Sequence, residues 1–338
     1  MDLGHKKIIV LTPVKNEAWI LERFLQVCSF FADHIIIADQ LSTDGSLEIY
    51  KKYSKVKVIK NEKRVYNENE RQLLLISTAR RLYGLGNILL AIDADEILAA
   101  NAMLTDDWQK MIEAPLGTVL YFEKPTFYKS TNTVIRYDGN GWPLGYVDDG
   151  AEHKPSPIHS TRIPTPSYAA KFYLKEIKFL HYALARLDAQ FSKMRLYSMI
   201  ENINCSKSLR VRRRDYNSKN DFKTEGDRHE ISDSKWFAGW ERRGVNMHTI
   251  SGSDLYWYDV EALEMFKTYG VRRFYQDDIW EHDWEKMRVS LIKNGSKDLP
   301  NTPIVPPNII YRFIIRLYFN FINRSIKDIK RIIKIIKR

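Results

Sequence analysis

Apolar and polar positions follow two alternating patterns along the first 125 residues of this 338-residue chain. Short apolar runs, which are typical of buried strands, are each followed by a stretch in which apolar residues recur every three to four positions, as on one face of a helix. The apolar runs are KKIIVLTP, HIIIAD, KVKVIK, NILLAID and GTVLYFEK. Strands that alternate with helices in this way predict right-handed βαβ units and a parallel sheet covered on both faces.

The predicted helices lie between these runs. The first covers residues 16–31, with its apolar residues on one face and Asn16 as its predicted N-cap. Three further helices are predicted from STDGSLEIYKKY, NENERQLLLISTARRLYG and MLTDDWQKMIEA. The fold class that these elements predict is α/β, with helices flanking a mostly parallel sheet.

The regular alternation ends after about residue 125. Residues 127–167 are rich in Gly, Pro, Tyr and charged residues and show no sustained period. Their aromatic residues argue against disorder, so we predict ordered loops and short strands that form one wall of a cleft. A later strand is predicted from EIKFLHYA and a long helix from LDAQFSKMRLYSMIENINCSKSLR. We therefore expect a domain at residues 1–210, a mostly helical extension at 211–308 and a separate helix at 309–338.

The net charge of +11 is concentrated at the C-terminal end. Residues 309–338 contain nine Lys or Arg residues and one Asp, whereas residues 1–308 contain 44 basic and 41 acidic residues. A nearly neutral body argues against nucleic acid as a partner. Ile residues recur every three to four positions in the basic segment, which predicts an amphipathic helix that binds an anionic membrane surface. The alternative is a helix that packs on the catalytic domain with its charged face in water.

The cysteines and the length of the apolar stretches are typical of an intracellular protein. The two cysteines, Cys28 and Cys205, match no metal-ligand spacing and suit a reducing cytoplasm. The N-terminus lacks the apolar stretch of a signal peptide, and no run of 18 apolar residues predicts a membrane span. We expect a cytoplasmic protein that binds peripherally to the inner face of the cell membrane.

Three carboxylates, Asp93, Asp95 and Glu96, follow the apolar run NILLAID. Carboxylates this close repel one another unless a cation or a hydrogen-bond donor lies among them. On an extended segment Asp93 and Asp95 would face the same side and Glu96 the other. Hard cations such as Mg2+ and Mn2+ prefer oxygen ligands. Because ligands bind at the carboxyl ends of parallel strands, this cluster and Asp39 are expected to line one crevice.

Three motifs occur in order: LTPVKNE at the first strand end, IIIADQLSTDGS at the second and AIDADE at the fourth. This set resembles the family 2 glycosyltransferases, which have the GT-A fold, and the resemblance extends over about residues 6–125. It implies a GT-A (Rossmann-like) sheet with a helical C-terminal extension. It also implies a nucleotide-sugar half at residues 1–125 and an acceptor half at residues 126–210.

The resemblance implies a role for individual residues in binding a nucleotide-sugar and a divalent ion, Mn2+ or Mg2+. Asp95 would bind the metal directly, Asp93 would lie towards the ribose or the metal shell, and His181 would be a further ligand or else a core histidine. Asp39 would recognise the base, but Gln40 follows it where the family often has a second acid, so the base stays open, with a UDP-sugar as the expected donor. The pocket would be completed by Thr12, Pro13, Glu17 and Arg71, the last of which is alternatively a solvated helix charge.

An inverting transferase needs a carboxylate to take the proton from the acceptor hydroxyl. Asp149 is the first choice and Glu152 the second, because both lie in the aromatic loop region. His159, in the same region, is a candidate contact to phosphate or acceptor. The predicted function is transfer of a hexose from a nucleotide-sugar to a saccharide or lipid-linked acceptor, in cell-surface polysaccharide synthesis.

Two other functions fit part of the sequence. LLAIDADEI is also similar to the Asp-x-Asp strand of haloacid dehalogenase-like phosphatases, although Ile97 stands where that family usually has Thr or Val. That strand normally opens the phosphatase domain, whereas three strands precede it here. A non-catalytic membrane- or polyanion-binding protein is the second alternative.

Overall fold

The computed structural model describes residues 6–62, 68–137, 139–154, 160–204, 207–216, 228–253, 255–296 and 298–336. The chain forms two compact units, Met1–Arg186 with Thr224–Gly252 and Leu187–Lys223 with Ser253–Arg338. The expected boundary at residue 210 therefore differs from the observed division. Residues 187–210 belong to the second unit, and a later segment returns to the first.

The described residues contain eleven strands and ten α-helices. The strands are β1 (Ile8–Val14), β2 (His34–Asp39), β3 (Val56–Lys60), β4 (Ile88–Ala91), β5 (Glu96–Leu98), β6 (Val119–Glu123), β7 (Thr126–Tyr128), β8 (Ser130–Arg136), β9 (Trp142–Val147), β10 (Lys171–His181) and β11 (Arg228–Ile231). The helices are α1 (Ala18–Phe31), α2 (Ser46–Tyr50), α3 (Glu68–Tyr83), α4 (Asp106–Glu113), α5 (Leu187–Asn204), α6 (Leu209–Asp215), α7 (Lys235–Glu241), α8 (Trp257–Tyr269), α9 (Trp284–Lys293) and α10 (Ile309–Ile336).

All described strands of the first unit join one sheet. Its order is β11-β8-β7-β10-β6-β9-β4-β1-β2-β3, and β5 pairs with β10 off this path. The strands β3, β2, β1 and β4 are parallel, as predicted from their alternation with helices. The next strand, β9, is antiparallel to both β4 and β6, so the sheet as a whole is mixed.

Helices cover both faces of the parallel strands, which confirms the α/β class. Alternate residues of β1 point to opposite faces: Val10 packs in a core with Phe24 of α1, and Leu11 packs in a second core with Leu75 of α3. This alternation follows from the two-residue side-chain period of a strand. Cys28 is buried in α1, and burial raises the pKa of its thiol well above its ordinary value; Cys205 lies outside the described residues.

The described part of the second unit consists of helices and loops. Leu196 and Met199 of α5 pack in one apolar cluster with Leu263 and Phe266 of α8. This packing explains why α5 belongs to the second unit. The apolar side chains of a long helix must be buried against a partner, and the partner of α5 is α8.

Candidate active site

The segment that follows β4 forms a tight turn at the carboxyl edge of the parallel strands. The Glu96 N–H donates to the Asp93 carbonyl at 2.9 Å, and the Asp93 N–H donates to Glu96 Oε2 at 2.9 Å. The prediction assumed an extended segment, whereas the structure has a turn at residues 94–95. The turn instead gives each of the two carboxylates a different partner.

Glu96 is the buried centre of this turn. Its side chain is fully inaccessible to solvent and contacts two cations, with Arg162 Nη1 at 2.6 Å from Oε2 and Lys124 Nζ at 2.9 Å from Oε1. Burial by itself raises the pKa of a carboxyl group. Arg162 and Lys124 outweigh that effect and hold the pKa of Glu96 well below its ordinary value. Glu96 is therefore ionised and orients its neighbours.

Asp93 lies against the same arginine. Arg162 Nη2 donates to Asp93 Oδ2, and the Asp93 side chain keeps about a third of its surface exposed (34 %). Burial would lower the pKa of the Arg162 guanidinium, but Asp93 and Glu96 outweigh it and raise that pKa above its ordinary value. Arg162 is therefore a permanent cation between two carboxylates.

Asp95 lies beside β10. Its carbonyl accepts a hydrogen bond from the Tyr182 N–H at 2.9 Å, and its Oδ2 lies 3.6 Å from Nε2 of His181. Nδ1 of His181 lies 3.2 Å from Thr126 Oγ1. The antiparallel pairing of β10 with β5, which places His181 opposite Glu96, brings this histidine to the turn.

The Asp95–His181 pair has the chemistry of a divalent-cation site. When Nδ1–H of His181 donates to Thr126, Nε2 presents its lone pair to the Asp95 carboxylate, and a cation between them satisfies both groups. Mg2+ is typically held by one or two protein ligands together with substrate phosphates. Within the described part of the chain, no group of three or more His, Cys, Asp or Glu side chains is arranged to hold a metal ion. The pair therefore fits a divalent ion whose remaining ligands come from substrate and water.

The ends of β1 and β2 lie beside this turn. The Thr12 hydroxyl donates to the Ile92 carbonyl and so joins the end of β1 to the segment after β4. Asp39 is nearly buried at the end of β2, where it accepts hydrogen bonds from the Ser42 N–H at 3.0 Å and the Tyr50 hydroxyl at 2.8 Å. Asp39 thus shapes the loop that follows β2, and its role in recognising a base stays a prediction.

The β1–α1 loop differs from the prediction in one respect. Helix α1 begins at Ala18, and Asn16 is not its N-cap but has a left-handed backbone, with φ of +55°. The Asn16 side chain instead accepts a hydrogen bond from the Thr43 N–H at 2.7 Å, which ties the two loops together. Glu17 accepts from the indole N–H of Trp19 at 2.7 Å.

Pro13 and Arg71 lie on elements that reach the same edge. Pro13 is paired with Ala38 near the end of β1, and Arg71 is in the first turn of α3. In a strand–helix unit the helix begins at the carboxyl edge of the sheet, which places the amino end of α3 there. The contact of Arg71 with a diphosphate stays a prediction.

The two residues expected to act as the catalytic base lie elsewhere. Strand β9 runs antiparallel to β4 and pairs Val147 with Ile88, the first residue of β4. Asp149, which follows β9, is therefore at the amino edge of the parallel strands, where it accepts from the hydroxyls of Tyr146 and Tyr168. Glu152 is exposed and pairs with Lys154 at 3.2 Å. The structure does not bring Asp149 or Glu152 to the Asp93–Glu96 turn, and His159 lies outside the described residues.

Sequence reasoning missed Arg162 and Lys124, which are the cations of the site. Arg162 lies 66 residues from Glu96 and 69 from Asp93 along the chain, in a segment without a regular period. The only available signal was the unbalanced charge of the cluster, which required nearby cations but did not name them.

The comparisons with known proteins agree with the motifs at this edge. Residues 9–121 match the family model described as glycosyl transferase family 2. The matched region, residues 9–121 of 338, is thus similar to glycosyl transferase family 2. This match confirms the predicted family and enzyme class, and it favours a glycosyltransferase over the phosphatase and the non-catalytic alternatives. No curated protein matches the chain.

Solved structures similar to this chain share little sequence with it. Mannosyl-3-phosphoglycerate synthase from Rubrobacter xylanophilus is 16% identical to this chain and has a TM-score of 0.28. The aligned region covers 38% of this chain and 42% of the synthase chain. Glucosyl-3-phosphoglycerate synthase from Mycobacterium tuberculosis, solved with Mn2+, uridine-diphosphate and glucosyl-3-phosphoglycerate, is 20% identical over 36% of this chain and 44% of its own, with a TM-score of 0.26. S. aureus TarS 1-349 is 14% identical, covers 85% of this chain and 92% of its own, and has a TM-score of 0.34. The chain thus spans less than half of the first two structures, and none of these likenesses carries an argument here.

Proposed function

We propose that this glycosyltransferase moves a sugar, of the hexose type, from a nucleotide-sugar to a saccharide or lipid-linked acceptor, with the help of Mn2+ or Mg2+. The observation that carries the proposal is the Asp95–His181 pair, 3.6 Å apart, at the carboxyl edge of a family 2 domain. Ligands bind at this edge in open α/β sheets. A UDP-sugar is the proposed donor, and Asp39, at the end of β2, is the proposed contact to its base.

The proposed chemistry divides among the residues of the edge. A divalent ion, when bound, neutralises the diphosphate as it leaves. Asp95 and His181 would hold that ion, and Thr126 fixes the orientation of the His181 ring. Arg162 and Lys124 offset the charge of the carboxylate cluster, so that a negatively charged donor can approach it.

We also propose that the reaction inverts the sugar carbon, which requires a carboxylate to accept the proton of the acceptor hydroxyl. Asp149 is not proposed for this step, because β9 carries it to the opposite edge of the sheet, and Glu152 is not proposed, because it is exposed and pairs with Lys154. A place in cell-surface polysaccharide synthesis is part of the proposal and rests on the family resemblance.

The metal and donor site can be tested by thermal unfolding. Wild type should gain about 3 °C in Tm when UDP and Mn2+ are added together, since a ligand at 100 times its Kd stabilises the folded state by about 2.7 kcal/mol. Asp95→Asn should lose this gain. The matched control is Asp106→Asn, an exposed aspartate in the first turn of α4, which should keep it. A full Tm gain in Asp95→Asn would show that the metal assignment is wrong.

We further propose that α10 attaches the protein to an anionic membrane surface, at the inner face of the cell membrane. Among the described residues, no helix is long and apolar enough to cross a membrane. Arg316 of α10 pairs with Glu281 at 2.6 Å, so this basic side chain faces its own unit. The other side of the helix is apolar and exposed, with residues between 52 and 76 % accessible: Ile309, Ile310, Phe313, Ile314, Leu317, Tyr318 and Phe321. An exposed apolar face of this size marks an interaction surface.

The positive charge of residues 309–338 favours an anionic lipid surface as the partner of α10. Residues 309–338 contain nine basic residues and one acidic residue. A helix that combines an apolar face with this charge is typical of those that bind anionic lipid interfaces. The alternative from the sequence is a helix that packs on the catalytic domain with its charged face in water; the exposure of the apolar side chains favours the lipid surface instead.

A further inference from the structure

We propose that Arg162 is a positioning residue that keeps the Asp93 carboxylate out of the shell of the metal that Asp95 and His181 would hold. This inference rests on the proposed function, because it concerns the metal of the same site. It assigns different tasks to two aspartates that the sequence alone would treat as a pair.

The first argument is the fixed geometry of the arginine. Arg162 contacts both carboxylate oxygens of Glu96, with Nη1 at 2.6 Å from Oε2 and Nη2 at 3.2 Å from Oε1. A planar guanidinium bound by two parallel hydrogen bonds is held in orientation as well as in position. Glu96 is itself fully buried and held by Lys124 and by the Asp93 N–H. Glu96 therefore anchors the guanidinium, and its Nη2 holds the Asp93 carboxylate.

The second argument is the turn that separates the two aspartates. Asp95 lies beside His181, whereas Asp93 forms an ion pair with Arg162. The charge of Asp95 also acts on Arg162, but less than the charges of Asp93 and Glu96. A second carboxylate in the metal shell would strengthen the binding of a divalent ion without substrate. By holding Asp93, Arg162 leaves a weaker site that the donor diphosphate completes.

The proposal predicts that loss of the arginine strengthens metal binding. In Arg162→Gln the Asp93 carboxylate is released and can become a third ligand, so the Kd for Mn2+ should fall about tenfold, the scale on which outer-shell partners change metal affinity. The measurement is Mn2+ binding to the full chain without nucleotide, by calorimetry or by the paramagnetic signal of free Mn2+. Transfer activity should decrease in the same variant.

Lys124→Gln is the matched control. Lys124 is the other cation on Glu96, at 2.9 Å, and its ammonium group lies over the ring of Trp142 rather than against Asp93. Both variants remove one positive charge near the site, but only Arg162→Gln releases Asp93. The Kd should therefore change less than about threefold in Lys124→Gln. Equal effects of the two variants would mean that charge alone acts, and the proposal would be overturned.

Two further variants separate the possible failures. Adding Asp93→Asn to Arg162→Gln should return the Kd to its wild-type value, and a Kd that stays low overturns the proposal. If Arg162→Gln does not fold because Glu96 is left buried beside one cation, Glu96→Gln/Arg162→Gln is compared with Glu96→Gln alone. Equal or weaker Mn2+ binding in the variant that lacks Arg162 overturns the inference. Unchanged Mn2+ binding in Asp95→Asn would instead contradict the proposed function.

Discussion

At the scale of the residue, the sequence predicted where the acidic cluster lies but not how its members divide. Asp93, Asp95 and Glu96 were found at a strand end, since an apolar run that stops at three acids is visible in the chain itself. Their partners Arg162 and His181 come from distant segments. The choice of partner depends on a turn of four residues and on the path of a loop, and neither leaves a periodic signal.

His153 supplies a prediction at the same scale. It is buried beside α3, with Nε2 at 3.2 Å from Gln72 Oε1, and burial together with Arg80 lowers its pKa to about 4. Between pH 6.5 and 4 the unfolded chain takes up a proton at His153 that the folded chain does not. The free energy of unfolding therefore decreases as the pH falls through this range, and above pH 6.5 the contribution of His153 is fully present. The loss attributable to His153 should be on the order of 2 kcal/mol, since solvent screening reduces the full effect.

Urea unfolding of wild type and His153→Gln at pH 7.5, 6.0 and 5.0 measures this loss. The variant should lose less free energy of unfolding than wild type as the pH decreases. His229→Gln, a change at an exposed histidine of β11, is the control and should retain the wild-type decline. Parallel pH profiles for wild type and His153→Gln would contradict the assignment.

At the scale of the element, the sequence predicted the parallel half of the sheet and missed β9. The strands β1 to β4 are short apolar runs flanked by helices, so local periodicity is enough to find them. Strand β9 contains Pro143 and Gly145, residues that are uncommon in strand interiors, and it lies in the region for which loops and short strands were predicted without bounds. Its place between β4 and β6 decides the edge at which Asp149 lies. One missed strand thus misplaced the predicted catalytic base.

Gly145 explains why β9 tolerates a glycine. A Cβ at this position would lie 3.0 Å from a methyl group of Leu90 and 3.1 Å from Leu120, so the strand fits between β4 and β6 only without a side chain. Gly145→Val should decrease the free energy of unfolding by about 2 kcal/mol, the usual cost of overpacking a core. The control is Gly252→Val, where nothing lies within 4 Å of the added Cβ. Equal urea midpoints for the two variants would show that the strand can move to accept the side chain.

At the scale of the whole molecule, the composition of the two units could not be predicted from the sequence. The first unit takes back a segment after residue 223, in which Trp236, Phe237 and Trp240 enter the core of the sheet. The Trp240 indole N–H donates to the Leu98 carbonyl at 2.7 Å, across 142 residues of chain. Such a return leaves no boundary signal, because aromatic residues in a polar stretch fit either unit equally well.

The C-terminal helix gives the last prediction, which concerns the molecule on a membrane. Wild type should float with vesicles that contain phosphatidylglycerol and should remain in solution with pure phosphatidylcholine. Phe313 and Leu317 are 60 and 52 % exposed on the apolar face of α10, and each contributes about 1.5–3 kcal/mol when it enters the lipid interface. Phe313→Ser/Leu317→Ser should therefore reduce partitioning of the protein onto the vesicles by more than about tenfold. Asn320→Ser, at a polar exposed position of the same helix, should leave it unchanged.

Binding to the vesicles should also weaken at 0.5 M salt, because basic residues supply part of the attraction and the Debye length falls to about 4 Å. Flotation that survives the double substitution would exclude this face as the membrane contact. A dimer in light scattering that the same substitution dissociates would instead identify a second copy of the chain as the partner of α10.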